Sequence, residues 1–287
     1  MEFIMEVCKD AAADSIKLLP FLFITYLLME YLENKMEEKS HDIMKRSGHV
    51  GPVFGGILGI FPQCGFSTAA SNLYAGGIIT VGTLLSVYLS TSDEMLPIFI
   101  SEAVPAATIA KILLAKMALG MITGFIIDLI FHVVPFLHVR HKDIHHLCEQ
   151  EHCHCEDGIW LSAIKHTLKI FAFIFVISFV IGLLIEGIGE EHLAALIMNR
   201  PVLGEVIAGV IGLIPNCAAS VIITELYLGG VIGAGAMMTG LLVGAGVGVL
   251  VLVRMNRSIK ENVSIIIALY LTSVIWGILI ETAGITF

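Results

Sequence analysis

Phe61-Pro62-Gln63-Cys64-Gly65-Phe66-Ser67 returns 153 residues later as Ile214-Pro215-Asn216-Cys217-Ala218-Ala219-Ser220, and this pair decides the fold. Proline lacks a backbone donor and clashes with the preceding turn, so a helix should break at each site. The same register runs outward without a gap and lays Gly51–Gly82 on Gly204–Gly235. Gly56, Gly59, Pro62, Cys64, Ser67, Tyr74, Gly76, Gly77 and Gly82 meet Gly209, Gly212, Pro215, Cys217, Ser220, Tyr227, Gly229, Gly230 and Gly235. It continues to the closing segments, pairing Gly124 with Gly277 and Asp128 with Glu281. Glycine-rich apolar segments can align by chance, but shared Pro-x-Cys-x-x-Ser and Leu-Tyr-x-Gly-Gly at one register argue against it. The chain reads as a tandem duplication.

Around these motifs the composition is that of a membrane protein. Of 287 residues, 57% are hydrophobic and 14% charged, and the mean hydropathy is +0.91. A soluble domain carries roughly 25% charged residues. Apolar runs near the length that crosses a bilayer, about 20 residues, recur at Ile16–Leu32, Ile112–Ile130, Leu168–Ile185, Gly230–Val253 and Val263–Ile280. Most charges sit in short loops, so the net charge of −9 says little about partners, and no basic patch points to nucleic acid. The start is polar and no cleavable signal is evident. The six cysteines do not form a disulfide frame: two lie in apolar segments and three in one His-rich loop.

The expected fold is an all-α membrane protein of two tandem repeats of transmembrane helices. Residues 1–137 form the N-terminal repeat, 138–158 a His/Cys-rich linker and 159–287 the C-terminal repeat. Each half opens with a long helix (about residues 11–33 and 159–187), continues through the Pro-x-Cys segment, and closes with another helix (about 110–136 and 262–286). Ser90-Thr91-Ser92-Asp93-Glu94 is expected to interrupt the third element in the first half only, because the counterpart, residues 243–247, is apolar and glycine-rich. If each Pro-x-Cys segment is a re-entrant hairpin, the repeats are inverted; if it crosses once, they are parallel. The inverted arrangement is preferred, since transporters place broken helices of inverted halves around a midplane site. Lys35, Lys39, Lys45, Arg46, Arg254, Arg257 and Lys260 put loops 34–49 and 254–261 in the cytoplasm and the N-terminus outside.

Broken backbone at membrane depth is tolerated only inside protein or along a water-filled cavity. Each break here precedes a carboxamide, a thiol and a hydroxyl, and its new helix N-terminus offers N–H donors. Gln63, Cys64, Ser67, Asn216, Cys217 and Ser220 are therefore the candidate substrate ligands. The plainer alternative is that proline and glycine only let helices kink and pack, with cysteine as a small hydrophobe. Carboxylates within apolar segments are costly and suggest function. Asp93 and Glu94, at a hydroxyl-lined break, and Glu225, two turns after Cys217, join the substrate set. Glu186 and Glu281 fit better as groups snorkelling at an interface. In the linker, His141, His145, His146, Cys148, His152, Cys153, His154 and Cys155 are metal-ligand candidates, with His138 beside them. Imidazole and thiolate suit zinc and copper, but the spacing is irregular, and a linker that binds metal adventitiously has the same composition.

No phosphate-cradling Gly-Lys-Ser/Thr loop, Gly-x-Ser-x-Gly or His-Glu-x-x-His occurs, so no enzyme activity is expected. No tightly bound cofactor is expected either; a metal ion enters as substrate or regulator. The expected partners are the lipid bilayer, a small ion or solute, and a second copy in a homodimer.

Phe61–Ser67, Ser90-Thr91-Ser92-Asp93-Glu94-x-x-Pro97-Ile98, Ile214–Ala218 and the His/Cys loop together resemble the prokaryotic ten-helix heavy-metal exporters, a family related to arsenic-efflux permeases with some members labelled manganese transporters. The resemblance implies a multi-pass plasma (inner) membrane permease of about ten segments that moves a metal or metalloid outward. Thiols suit arsenite or copper, whereas oxygen ligands suit manganese. An anion transporter coupled to protons or sodium is the second reading, and a membrane sensor built on the His/Cys loop the third.

Overall fold

The computed structural model describes residues 50–61, 64–92, 95–133, 159–188 and 202–287, with part of 5–27. All regular structure among these is helical. The described residues between 5 and 27 form α1. They are followed by α2 (Gly51–Gly59), α3 (Cys64–Ala75), α4 (Val81–Ser90), α5 (Met95–Ser101) and α6 (Ala106–Val133). The second half has α7 (Ile159–Ile188), α8 (Leu203–Gly212), α9 (Cys217–Leu228), α10 (Ala234–Val243), α11 (Gly248–Met255) and α12 (Ile259–Thr282). Four described spans are long and apolar enough to cross a membrane: Ala106–Ile130, Ala163–Leu183, Ala234–Met255 and Ile259–Thr282. The chain is a multi-pass membrane protein.

Positions 153 residues apart share local geometry. In both halves the helix after the Pro-x-Cys segment ends on a glycine with positive φ, Gly77 at 72° and Gly230 at 71°. Ile78 N donates to Leu73 O at 2.8 Å, and Val231 N donates to Leu226 O at 2.9 Å. This is one helix-terminating motif used twice, and it needs glycine because a Cβ disfavours the left-handed region. Farther along, Gly82 N donates to Asp128 Oδ1 (2.8 Å) and Gly235 N to Glu281 Oε2 (2.7 Å). Each carboxylate satisfies a donor that the first turn of α4 or α10 leaves unpaired. Glu281 is exposed and also anchors the start of α10.

Glycines set the packing directions. A Cβ on Gly51 would overlap the Thr83 side chain, one on Gly55 would meet Val87 at 3.2 Å, and one on Gly59 would meet the Val87 carbonyl at 2.8 Å and press on Ser90. The contacts climb both helices together, so α2 and α4 run parallel. Gly82 abuts the Gly124 backbone and Gly120 abuts Ser90, so α4 and α6 run antiparallel. Helix α3 begins five residues after α2 ends, and α4 begins six residues after α3 ends. In the second half, Gly212 abuts Gly240 and Val243, and Gly235 abuts Gly277, repeating the arrangement.

The third element is interrupted in both halves, against the expectation for the second. Helix α10 stops at Val243 and α11 restarts at Gly248. Gly246 adopts φ 53°, so glycine conformational freedom opens this break where polar residues occupy the first. The interrupted span Ala234–Met255 is central, with 83% of its apolar window buried, against 28% for α6 and 33% for α12. Helix α12 instead exposes Val263, Ile267, Leu271, Ile275 and Leu279. Spaced four apart, they form one apolar stripe of the kind that faces lipid.

Candidate functional site

The interrupted helices of one half pack on the Pro-x-Cys helices of the other. Helix α11 lies on α3, and α5, its counterpart, lies on α9. At the first contact Gly248 sits against Ser67, where a Cβ would come within 2.7 Å of the serine Cβ. The backbone on the other side of the α10–α11 break reaches the second Pro-x-Cys helix: a Cβ on Gly244 would stand 3.5 Å from Ser220 Oγ. Residues 244–248 therefore run between Ser67 and Ser220, one turn into the helices that Cys64 and Cys217 open.

A buried polar cluster surrounds the first contact. Ser71 Oγ lies 2.7 Å from Tyr88 Oη, from the Ser67 carbonyl and from the Gly248 carbonyl. Tyr88 Oη is also 3.2 Å from Gly248 O, so the tyrosine hydrogen can serve one acceptor and the serine hydrogen the other. Tyr26 Oη donates to Asn72 Oδ1 at 3.2 Å and approaches the Met255 sulfur at 3.6 Å. Tyr74 Oη bonds Glu261, tying the end of α3 to the start of α12. The amide nitrogen of Asn72 is buried and has no hydrogen-bond partner among the described residues.

The first-half breaks also lie side by side. Ser92 Oγ donates to Ile60 O at 2.7 Å, joining the end of α2 to the end of α4. Near the end of α4 two hydroxyls bond back to their own helix: Ser90 Oγ donates to Ser86 O and Thr91 Oγ1 to Val87 O, both at 2.7 Å, beside the backbone N–H that Val87 O already accepts from Thr91. The corresponding end of α10 has no hydroxyl of its own. Its Leu241 carbonyl is instead met at 2.6 Å by Lys116 Nζ, which crosses from α6 in the other half. Lys116 is 1% exposed.

Ser67 and Ser220 are thus buried and joined through one backbone segment. Asn216 caps α9 through its side-chain oxygen, which accepts from Ala218 N at 3.3 Å. Cys217 is half-buried at the first position of that helix. Glu225 is exposed near the end of α9, whereas Asn72, its counterpart in the repeat, is buried. Cys64 is described only as the first residue of α3. Gln63, Asp93, Glu94 and the linker residues His138, His141, His145, His146, Cys148, His152, Cys153, His154 and Cys155 lie outside the described residues. Among the described residues no group of three or more His, Cys, Asp or Glu side chains is placed to hold a metal ion. The sequence reading weighed intramembrane acids and passed over Lys116, although a lysine inside the run Ile112–Ile130 was a signal of the same kind.

A model of the family described as "Putative, 10TM heavy-metal exporter" matches residues 1–191. That stretch holds the first Pro-x-Cys segment, the Ser90–Glu94 break and the His/Cys linker. No curated protein and no solved structure matches the chain.

Proposed function

The chain belongs to the ten-helix heavy-metal exporter family, and from that premise we propose that it is a secondary active transporter exporting a heavy-metal cation or metalloid of the manganese, zinc, copper or arsenite class. The substrate site lies at mid-membrane between the two repeats, with Cys64 and Cys217 as soft ligands. Gln63, Asn216, Ser67, Ser220, Asp93 and Glu94 supply harder ones. The observation that carries this reading is the segment 244–248, held between Ser67 and Ser220. It brings the interrupted crossing of one repeat against both Pro-x-Cys helices, the arrangement from which midplane transport sites are made.

Inverted repeats are part of the proposal, and two directions support them. Helix α11 follows α3 in the same sense, since Ser67 and Ser71 meet Gly248 while Asn72 and Met255 share Tyr26. As α3 runs back against α4, α11 opposes its own counterpart α5. Likewise α1 opposes α7: Val7 meets Gly182, while Leu22 and Tyr26 cluster with Ala163 and Ile170. Two hairpin arms, one interrupted crossing and two long helices make five elements per repeat among the described residues. Twice that number is the ten of the family description.

A proton- or sodium-coupled carrier of small anions is the second reading, favoured by the buried Lys116 ammonium at the repeat interface. Flux of Mn, Zn, Cu, Cd, arsenite and small anions into and out of proteoliposomes separates the two. A metal or metalloid is expected to move. Cys64→Ser and Cys217→Ser should each weaken transport of a thiophilic substrate, and the pair should abolish it, because serine keeps the size but is a poor soft-metal ligand. Flux of anions alone sinks the exporter reading. A fully active double-serine protein leaves only an oxygen-ligand carrier, with manganese first.

A further inference from the structure

A half-helix that stops inside the membrane presents carbonyl groups and the negative end of its dipole. In transporters such ends commonly coordinate the driving cation. Helix α10 is of this kind: ten residues long, buried throughout, and ended by glycine at mid-span. Gly244 N caps the Gly240 carbonyl and Ala245 N caps that of Val243. The Leu241 carbonyl receives Lys116 Nζ at 2.6 Å.

An ammonium as buried as Lys116 is retained only with strong acceptors around it. Its level in the fold is fixed by the packing of α6 on α4. Gly124 meets Gly82 and Ser86, and Gly120 meets Ser86 and Ser90. One further turn places Lys116 level with the interruption between α4 and α5. The lysine therefore belongs to one repeat, reaches the half-helix of the other, and stands at the height where both crossings are broken. The second repeat has Leu269 at the corresponding position, so the cation is present once.

We propose that Lys116 is a tethered replacement for a driving cation: the end of α10 is a cation site, filled from within by the protein's own ammonium. The coupling consequence, that no sodium is required there, rests on the transporter reading; the site itself rests on the helix end and the lysine. Removing the ammonium while leaving the Leu241 carbonyl in place frees that acceptor, at the negative end of the α10 dipole, for a small alkali cation.

The test is thermal unfolding of the purified full chain in sodium, lithium, potassium or N-methyl-D-glucamine chloride at one ionic strength. Wild type and Lys116→Arg should be indifferent to the cation. Lys116→Ala should unfold at lower temperature and regain about 2–4 °C in sodium or lithium near about 100 mM, the linkage expected for a weak site in a chain of this size. Lys116→Gln, which keeps a donor for the carbonyl, supplies the same measurement if the alanine variant does not purify. Equal destabilisation of both neutral variants in every salt overturns the proposal, as does sodium stabilisation of wild type. The readout needs no transport, so a failed flux screen counts against the exporter reading and leaves this result standing.

Discussion

The two interrupted crossings solve one problem in opposite ways. Both expose carbonyls at the end of a ten-residue half-helix inside the bilayer, where an unpaired backbone group is costly. At the first, the backbone N–H of Thr91 reaches the Val87 and Tyr88 carbonyls, and the hydroxyls of Ser90, Thr91 and Ser92 bond within their own half. The second is apolar, opens on glycine, and borrows a charge from the other repeat. Two helix ends at corresponding positions are thus unlike. One is polar and self-contained; the other depends on the opposite half and is held to it by an ammonium. Corresponding helices can pack alike although their ends differ chemically.

The comparison can be broken most severely at Gly248, where the second crossing restarts against Ser67. A valine there must displace Ser67 backbone as well as side chain, and over-packing of this kind costs about 3 kcal/mol. Gly248→Val should therefore lose most of its folded yield by size-exclusion chromatography. Its counterpart position already holds Met95, buried without conflict. A near-normal Gly248→Val would mean that the α3–α11 contact is loose and that the two crossings are not interlocked.

The carboxylates that anchor the starts of the crossings sharpen the contrast. Asp128 accepts from Gly82 N and from Thr80 Oγ1, whereas a single bond, from Gly235 N, is seen at Glu281. Asp128→Ala should cost about 2 kcal/mol and Glu281→Ala about 1, given the usual worth of bonds to a charged acceptor. Thermal unfolding of the two variants gives the order. The reverse order would show that the Thr80 bond contributes nothing.

The smallest effect belongs to the local cap. Ser92→Ala removes one neutral hydrogen bond to Ile60 O and should cost about 1 kcal/mol, with the α2 and α4 ends left in place. Hydrogen exchange of the amides near residue 60 should rise, while those near residue 244 stay as in wild type. A rise at both would show the two breaks to be mechanically coupled.

Much of the fold was legible because its signals are local or periodic. Apolar runs of spanning length state a helical, membrane-crossing chain without reference to neighbours. The second interruption was missed for a definable reason. The expectation sought polar residues at a break, and residues 243–247 offer only apolar groups and glycines, which suit a packed helix as readily as a turn. The joining of Ser67 to Ser220 was legible only as residue types; their proximity depends on how the repeats exchange helices.

The amino-acid sequence by itself determined that this protein is helical, lies in a membrane and belongs to an exporter family. Only the tertiary structure decided which charges are buried and what they meet. Lys111 and Lys116 stand five residues apart on one helix, yet the first is exposed and the second closes the end of a half-helix 125 positions away. Periodicity fixes the face a side chain takes on its own helix. The carbonyl it will meet is set by the register between helices, and that register comes from glycines packing backbone against backbone across the whole fold.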